Sequence, residues 1–192
     1  MKTKAKKSLF NVVVFYGVYA VGKYTVAKEF HKQTGYKFFH NHHTHDLARE
    51  LFDRGTINMD RLIENIRLEV FKEIAKAKIN VVTTHAYWDG FVSRTGMSDP
   101  MFVKKIESIV RKSGGNIYFI HLSADNSALM KRVSGKSRHK FKKLTDPKVM
   151  KEILKEERDW SKSAPVKNNI QINNTHLSPK QVVKKVRELI ND

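Results

Sequence analysis

The chain of 192 residues contains no cysteine and only four prolines. The absence of cysteine excludes disulfide bonds, thiolate metal sites and cysteine nucleophiles, and it is compatible with a reducing compartment. No apolar run approaches the roughly 20 residues that a helix needs to cross a bilayer. We therefore expect a cytoplasmic protein without a membrane partner, built as one domain over residues 1–192 with a short basic tail at 1–7.

Acidic residues are scarce, because 19 Asp and Glu face 37 Lys and Arg and leave a formal net charge of +18. Such a charge predicts a positive field that attracts polyanions, including nucleotides, RNA, DNA and anionic lipid. The lysines are spread along the chain, with local density at 2–7, 131–143 and 180–187. This spread gives no single nucleic-acid footprint, and a basic surface for solubility or for phosphorylated substrates is an equally simple interpretation.

Residues 17–25, with the sequence GVYAVGKYT, have the spacing of a phosphate-binding loop. Gly17 and Gly22 allow a tight curve that points backbone N–H groups inward, and Lys23 adds a mobile positive charge. An apolar run at 9–16 predicts a buried strand before the loop, and a helical pattern follows it. A chance match in a glycine-containing loop is the alternative, which this strand-loop-helix context disfavours.

Strand-like and helix-like segments alternate along the whole chain, which favours a parallel sheet covered by helices on both faces. Strands are predicted at 9–16, 36–40, 79–84, 116–122 and 169–173. Helices are predicted at 24–33, about 46–54 and 60–78, and three more where Asp99, Asp146 and Ser178 each precede a proline as capping residues. The predicted fold is a three-layer α/β/α domain with a five-stranded parallel sheet.

A histidine-rich segment, HNHHTHD at residues 40–46, follows the second predicted strand. With the G-x4-GK-x-T loop, it resembles the P-loop kinases of the nucleoside/nucleotide and shikimate kinase superfamily over nearly the whole chain, and more closely a bacterial and archaeal group of small predicted kinases. The resemblance implies a P-loop NTPase fold of the kinase type with a lid. It also implies transfer of the γ-phosphate of ATP, with Mg²⁺, to a small acceptor bearing a hydroxyl or phosphate group.

The loop supplies the expected nucleotide contacts, with one departure from the usual pattern. Tyr24 stands where a Ser or Thr usually holds magnesium. Adenylate kinases also lack a hydroxyl there, so the resemblance assigns the α-phosphate to Thr25 and most of the metal coordination to water and the phosphates, with Thr25 and Asp46 as the candidate metal contacts. The expected nucleotide-binding residues are Gly17, Tyr19, Ala20, Val21, Gly22, Lys23, Tyr24, Thr25 and, for the base, Asn174 beside Thr175.

The acceptor side needs a carboxylate to orient the attacking hydroxyl, and Asp46 is the first candidate because it follows strand two at the carboxyl edge of the sheet. Thr44, His45 or Asp46 could instead cap the next helix, and Asp89 is the alternative carboxylate. The resemblance makes Arg67 a clamp for an acidic acceptor, against a solvated face shared with Glu64. The expected acceptor contacts are His40, His42, Asp46, Arg67 and His85, whereas a zinc site built from His40, His42, His43 and His45 lacks specific support.

Residues 131–145 lie where related kinases carry a mobile lid. The resemblance implies that Arg132 and Arg138 close over ATP and neutralise charge on the transferred phosphoryl group, so we place them with Lys23 and Asp46 as catalytic. A solvated basic loop or an RNA-contacting patch is the alternative.

Three functional hypotheses follow. The first is a small ATP-dependent kinase, as a monomer or homodimer. The second is a kinase for nucleic-acid ends or an RNA-binding NTPase, suggested by the net charge. The third is an ATP-binding protein without transfer activity, suggested by Tyr24 and by the lack of an Asp at the end of the third strand.

Overall fold

The computed structural model describes residues 9–135, 144–155 and 159–191. The described residues contain five strands, β1 (Asn11–Gly17), β2 (Lys37–His40), β3 (Val81–Ala86), β4 (Asn116–Ser123) and β5 (Asn169–Asn173). These strands form one parallel sheet in the order β2-β3-β1-β4-β5. The helices are α1 (Lys23–Thr34), α2 (His42–Leu51), α3 (Ile57–Ala77), α4 (Asp99–Lys112), α5 (Asn126–Val133), α6 (Pro147–Lys155) and α7 (Pro179–Ile190).

β1 is the central strand, paired with β3 on one side and β4 on the other. Its side chains alternate between two cores: Val13 and Phe15 pack with α1 and α7, whereas Val12 and Val14 pack with α3 and α4. A strand covered on both faces has no solvent side, which explains the unbroken apolar run in this part of the sequence. The predicted α/β fold with a five-stranded parallel sheet is confirmed.

Two helices differ from the sequence-based prediction. α2 begins at His42 and ends at Leu51, so the predicted start near residue 46 was four residues late. Thr44, His45 and Asp46 therefore lie inside the helix, and their alternative role as caps was wrong. α5 was not predicted, because no proline marks its start in the sequence. Its cap residue, Asp125, makes no side-chain capping hydrogen bond in the structure.

The cap of α4 also differs from the prediction. Ser98, not Asp99, caps this helix, because the Ser98 hydroxyl accepts the N–H of Met101 at 3.2 Å. Asp146 and Ser178 cap as predicted: Asp146 accepts the N–H of Lys148, and Ser178 forms a reciprocal capping box with Gln181. Within the described ranges, no helix is both long enough and apolar enough to cross a membrane.

Candidate active site

The phosphate loop joins the carboxyl end of β1 to the start of α1. Three of its residues have positive φ angles, Gly17 at 130°, Ala20 at 61° and Gly22 at 101°. A Cβ atom on Gly17 would lie 2.4 Å from the carbonyl oxygen of Leu122 on β4, so this position has no room for a side chain. The loop is thereby a tightly curved backbone cradle seated against the neighbouring strand.

Lys23 folds back over this cradle. Its ammonium group donates hydrogen bonds to the carbonyl oxygens of Gly17 and Val18, each at 2.7 Å. Lys23 is also the first residue of α1, and the first turn of that helix contains no acidic residue. The first-turn N–H groups and the positive dipole end of α1 therefore point to an anion site beside a lysine ammonium.

Two side chains from other parts of the chain hold the back of the loop. The amide of Asn174, which is 3 % exposed, donates to the carbonyl oxygen of Val21 at 2.8 Å. Arg132, at the end of α5, donates to the same Val21 oxygen at 3.3 Å and to the side-chain oxygen of Asn174 at 3.0 Å. Its second terminal nitrogen donates to the carbonyl oxygens of Asn174 at 2.8 Å and Thr175 at 3.2 Å. We call Arg132 and Asn174 the loop bracket.

The contacts of the loop bracket concern two expected roles, that of Asn174 at the nucleotide base and that of Arg132 in the lid. Asn174 contacts the loop backbone, and Thr175 accepts from Arg132 while its hydroxyl receives the N–H of Asp125 at 2.9 Å. Arg132 lies against the loop instead of extending over it. Arg138, the other predicted lid arginine, lies outside the described residues, as do most of the predicted lid and the basic tail.

Tyr24 and Thr25 follow the loop lysine in the first turn of α1. The ring of Tyr24 lies 5.5 Å from that of Phe38 and 5.0 Å from that of His40, so it packs against β2. Thr25 is exposed at the helix start. In the three described ranges, no group of three or more His, Asp or Glu side chains is arranged to hold a metal. The positive φ angles of the loop and the Lys23 ammonium together give it the shape and charge of an anion cradle.

The predicted acceptor residues gather at the carboxyl ends of β2 and β3. His40 is buried at the end of β2, with its ring 3.9 Å from that of His43 on α2 and 5.9 Å from that of His42. Through Tyr24, His40 also connects this segment to the phosphate loop. The structure thus brings the histidine-rich segment and the phosphate loop to the same edge of the sheet.

Arg67, on α3, reaches into this region. Its Nε donates to the hydroxyl of Thr44 at 2.9 Å and one terminal nitrogen donates to the carbonyl oxygen of Asn41 at 3.2 Å. Burial lowers the pKa of Arg67 to about 10, against the opposing charges of Asp99 and Glu64, so the guanidinium stays cationic at neutral pH. Arg67 therefore supplies fixed positive charge to the histidine-rich segment.

His45 lies near Arg67 but differs from it in charge at neutral pH. Burial, reinforced by Arg67, His42, Arg49 and Arg54, lowers the pKa of His45 to about 3. At neutral pH the histidine carries no charge and Arg67 carries one.

The candidate carboxylates are placed differently. Asp46 lies in the second turn of α2, has a 52 % exposed side chain and is 3.4 Å from Arg49. Asp89 follows β3, accepts the hydroxyl of Tyr87 at 3.1 Å and pairs with Lys162 at 2.6 Å. The hydrogen bond from Lys162 lowers the pKa of Asp89. Asp89 is thus ionised and fixed, whereas Asp46 is solvated.

Asp99 is a structural residue that the sequence-based interpretation missed. It is buried, with one oxygen 3.2 Å from Nε2 of His85 and the other accepting the N–H of Trp88 at 2.8 Å. His85 is itself buried and stacks on Phe102, so it stands behind the acceptor region. Ser98, a strong helix cap one residue earlier, was the signal that Asp99 is free for another role.

No protein-family model matches this chain, and no curated protein matches its sequence. Solved structures match nearly all of it. A sugar kinase from Janibacter sp. HTCC2649 has a TM-score of 0.62 at 18 % identity, covering 94 % of both chains. A gluconokinase from Sinorhizobium meliloti 1021 has a TM-score of 0.60 at 14 % identity, covering 97 % of this chain and 94 % of that one. A shikimate kinase from Bacteroides thetaiotaomicron has a TM-score of 0.60 at 19 % identity, covering 94 % of this chain and 98 % of that one. At these identities the likeness is one of fold, and the fold is that of the small P-loop kinases.

Proposed function

We propose that this chain, with its P-loop kinase fold, is an ATP-dependent phosphotransferase that moves the γ-phosphate of ATP to a small acceptor. The observation that carries the proposal is the phosphate cradle: positive φ angles at Gly17, Ala20 and Gly22, with the Lys23 ammonium folded over the loop. The acceptor hydroxyl oxygen would bond to the γ-phosphorus while the bond to the β-phosphate oxygen breaks. ADP would leave, and the hydroxyl proton would pass to a carboxylate or to water.

Lys23 would exchange its two carbonyl partners for phosphate oxygens when ATP binds. Its present bonds hold the ammonium against the loop backbone, where the phosphate oxygens would bind. Tyr19, Ala20, Val21, Gly22, Tyr24 and Thr25 complete the nucleotide contacts in this proposal, with Asn174 supporting the loop. Mg²⁺ would neutralise phosphate charge, with Thr25 and Asp46 as its candidate protein contacts.

The acceptor would lie at the carboxyl ends of β2 and β3, where open parallel sheets bind ligands. His40, His42 and Arg67 would contact it, and His85 would support that surface from behind. In this proposal Arg132 and Arg138 would neutralise charge on the transferred phosphoryl group. Asp46 remains our candidate for orienting the hydroxyl, with Asp89 as the alternative. Once an acceptor is known, the variants Asp46→Asn and Asp89→Asn separate these two, because only the orienting carboxylate should lower kcat with little change in ATP affinity.

The first experiment is titration calorimetry of ATP, with and without magnesium, on the parent protein and on Lys23→Ala. Lys28→Ala is the matched control, because Lys28 lies one turn further along α1 and is exposed. We expect the Lys23 variant alone to lose ATP binding. ATP binding that is equal in the parent and Lys23→Ala, or absent from the parent, would contradict the proposal.

Two other functions keep specific support. The net charge of +18 favours a nucleic-acid end as the acceptor. That alternative predicts tight RNA or DNA binding that weakens steeply with salt, and it fails if binding is weak at physiological salt. The packing of Tyr24 against β2 favours ATP binding without transfer. That alternative fails if the parent transfers phosphate and Lys23→Met does not.

A further inference from the structure

Three aromatic side chains from distant parts of the sequence meet beside the phosphate loop. Tyr19 is at the crest of the loop, Trp88 follows β3, and Trp160 precedes β5. The ring of Tyr19 lies 5.9 Å from that of Trp160, and the ring of Trp88 lies 6.4 Å from it. We call these three residues the aromatic lip.

The aromatic lip is held in place by specific contacts. The backbone N–H of Trp88 is bound by the buried carboxylate of Asp99, and its indole covers Gly90 so closely that a Cβ there would lie 2.7 Å from the ring. Lys162, two residues after Trp160, pairs with Asp89, one residue after Trp88, at 2.6 Å. These contacts bring the two tryptophans together, so the cluster is a built feature of the site.

The aromatic lip keeps part of its surface open. Tyr19 is 38 % exposed, and both tryptophans are half-buried. Trp88 follows β3, which flanks β1 on the side opposite to β4 and β5, whereas the loop bracket lies on the β5 side. The aromatic lip therefore spans the carboxyl edge beside the phosphate loop, from Trp88 on the β3 side to Trp160, whose indole N–H donates to the carbonyl oxygen of Ile153 on α6 at 3.4 Å. Trp88 thus lies on the same half of this edge as the proposed acceptor residues.

We propose that the aromatic lip stacks a flat aromatic or heteroaromatic ring of the acceptor. The acceptor class is then a small alcohol or sugar that carries such a ring as well as the hydroxyl that receives the phosphate. Aromatic rings bind one another by offset or edge-on contact, and Tyr19 and the two tryptophans each keep part of their surface exposed. This inference rests on the proposed kinase function and adds to it the chemistry of the acceptor.

The chain offers a direct optical probe, because Trp88 and Trp160 are its only two tryptophans. The probes are two matched pairs, phenyl β-glucoside with methyl β-glucoside and adenosine with ribose. Each is titrated with a non-hydrolysable ATP analogue at saturation, and both tryptophan fluorescence and calorimetric affinity are measured. The two pairs separate a phenyl ring from a nucleobase as the source of the stacking surface.

We expect at least one ring-bearing probe to change the fluorescence and to bind about tenfold more tightly than its ring-free partner, the upper end of what one aromatic contact contributes. Trp88→Leu and Trp160→Leu should each remove that preference, and Trp160→Phe should keep most of it. Tyr118→Leu, which removes a half-buried aromatic ring near the opposite end of β4, should keep it fully.

Ring-bearing probes that bind no better than their ring-free partners, or not at all, overturn the proposal. The proposal is also wrong if Trp88→Leu and Trp160→Leu weaken the ATP analogue as much as the probes, because the cluster would then hold the adenine. A failed kinase function gives a different result: ATP binding that does not depend on Lys23, whatever the aromatic probes do.

Discussion

Replacing Arg132 by methionine tests whether this residue holds the phosphate loop or acts from a lid. Methionine keeps the length of the side chain and removes four hydrogen bonds, of 3.3, 3.0, 2.8 and 3.2 Å, to Val21, Asn174 and Thr175. Hydrogen bonds from a charged donor contribute about 1.5–3 kcal/mol each when well formed. Two of these are long and the guanidinium is partly solvated, so we expect a total loss of about 2–4 kcal/mol.

The assay is denaturant unfolding of the parent, Arg132→Met and Lys131→Met. Lys131 is the exposed neighbour on the same helix, and its replacement removes the same charge without touching the loop. We expect Lys131→Met to stay within about 0.5 kcal/mol of the parent. ATP affinity should fall in Arg132→Met, because the carbonyl of Val21 keeps only its bond from Asn174 and the loop is less well ordered before binding.

A double-mutant cycle with Asn174→Ala sharpens this test. The two side chains share Val21 and bond to one another, so their effects on the free energy of unfolding should be non-additive by about 1 kcal/mol or more. If Arg132→Met instead matches Lys131→Met in stability and in ATP affinity, but lowers kcat, the argument from the loop bracket is wrong. Arg132 would then act only on the transition state, as the sequence-based interpretation expects.

Three other variants test the surrounding structure. In denaturant unfolding, Gly35→Ala should destabilise the fold by roughly 1 kcal/mol, and Gly17→Ala should destabilise it several times more. Of these two glycines, only Gly17 has a backbone atom in the space that the new Cβ would occupy. Asp99→Ala should cost about 2–3 kcal/mol in the same assay, because it leaves the N–H of Trp88 without its acceptor. The folded pKa of His45, about 3, lies below the unfolded value of 6.5, so between these pH values the unfolded chain binds the extra proton. Stability should therefore fall on acidification through that window, by less than about 1.4 kcal/mol per pH unit, and His45→Gln should reduce the slope.

The sequence predicted those parts of the fold that depend on neighbouring residues. The apolar run at β1, the glycine spacing of the loop and the proline-marked helix starts are all local signals. The order β2-β3-β1-β4-β5 then brings the phosphate loop and the histidine-rich segment to one edge, as a parallel sheet requires. The placement of the predicted loop and acceptor residues at this edge follows from that topology.

Contacts between distant segments could not be predicted in this way. Arg132 lies in a basic stretch typical of a solvated loop, and only the position of β5 shows that it meets Asn174. Trp88 and Trp160 carry no motif, and they meet beside an ion pair between Asp89 and Lys162 that the sequence does not reveal. Asp99 was wrongly predicted to cap α4 for a related reason. An aspartate that precedes a proline has the same local sequence whether it caps the helix or is buried as a partner for a distant residue.

The position of Tyr24 could either carry a small hydroxyl residue or pack a large ring against β2, and it cannot do both. A small hydroxyl residue after the loop lysine would face the nucleotide's cation, whereas the tyrosine ring packs on Phe38 and His40 and joins α1 to β2. His40 in turn contacts His43, so the packing continues from the phosphate loop into the acceptor segment. Tyr24 therefore links the start of α1 to the histidine-rich segment through ring contacts, and the hydroxyl at this end of the helix is carried one position later by Thr25, which is exposed.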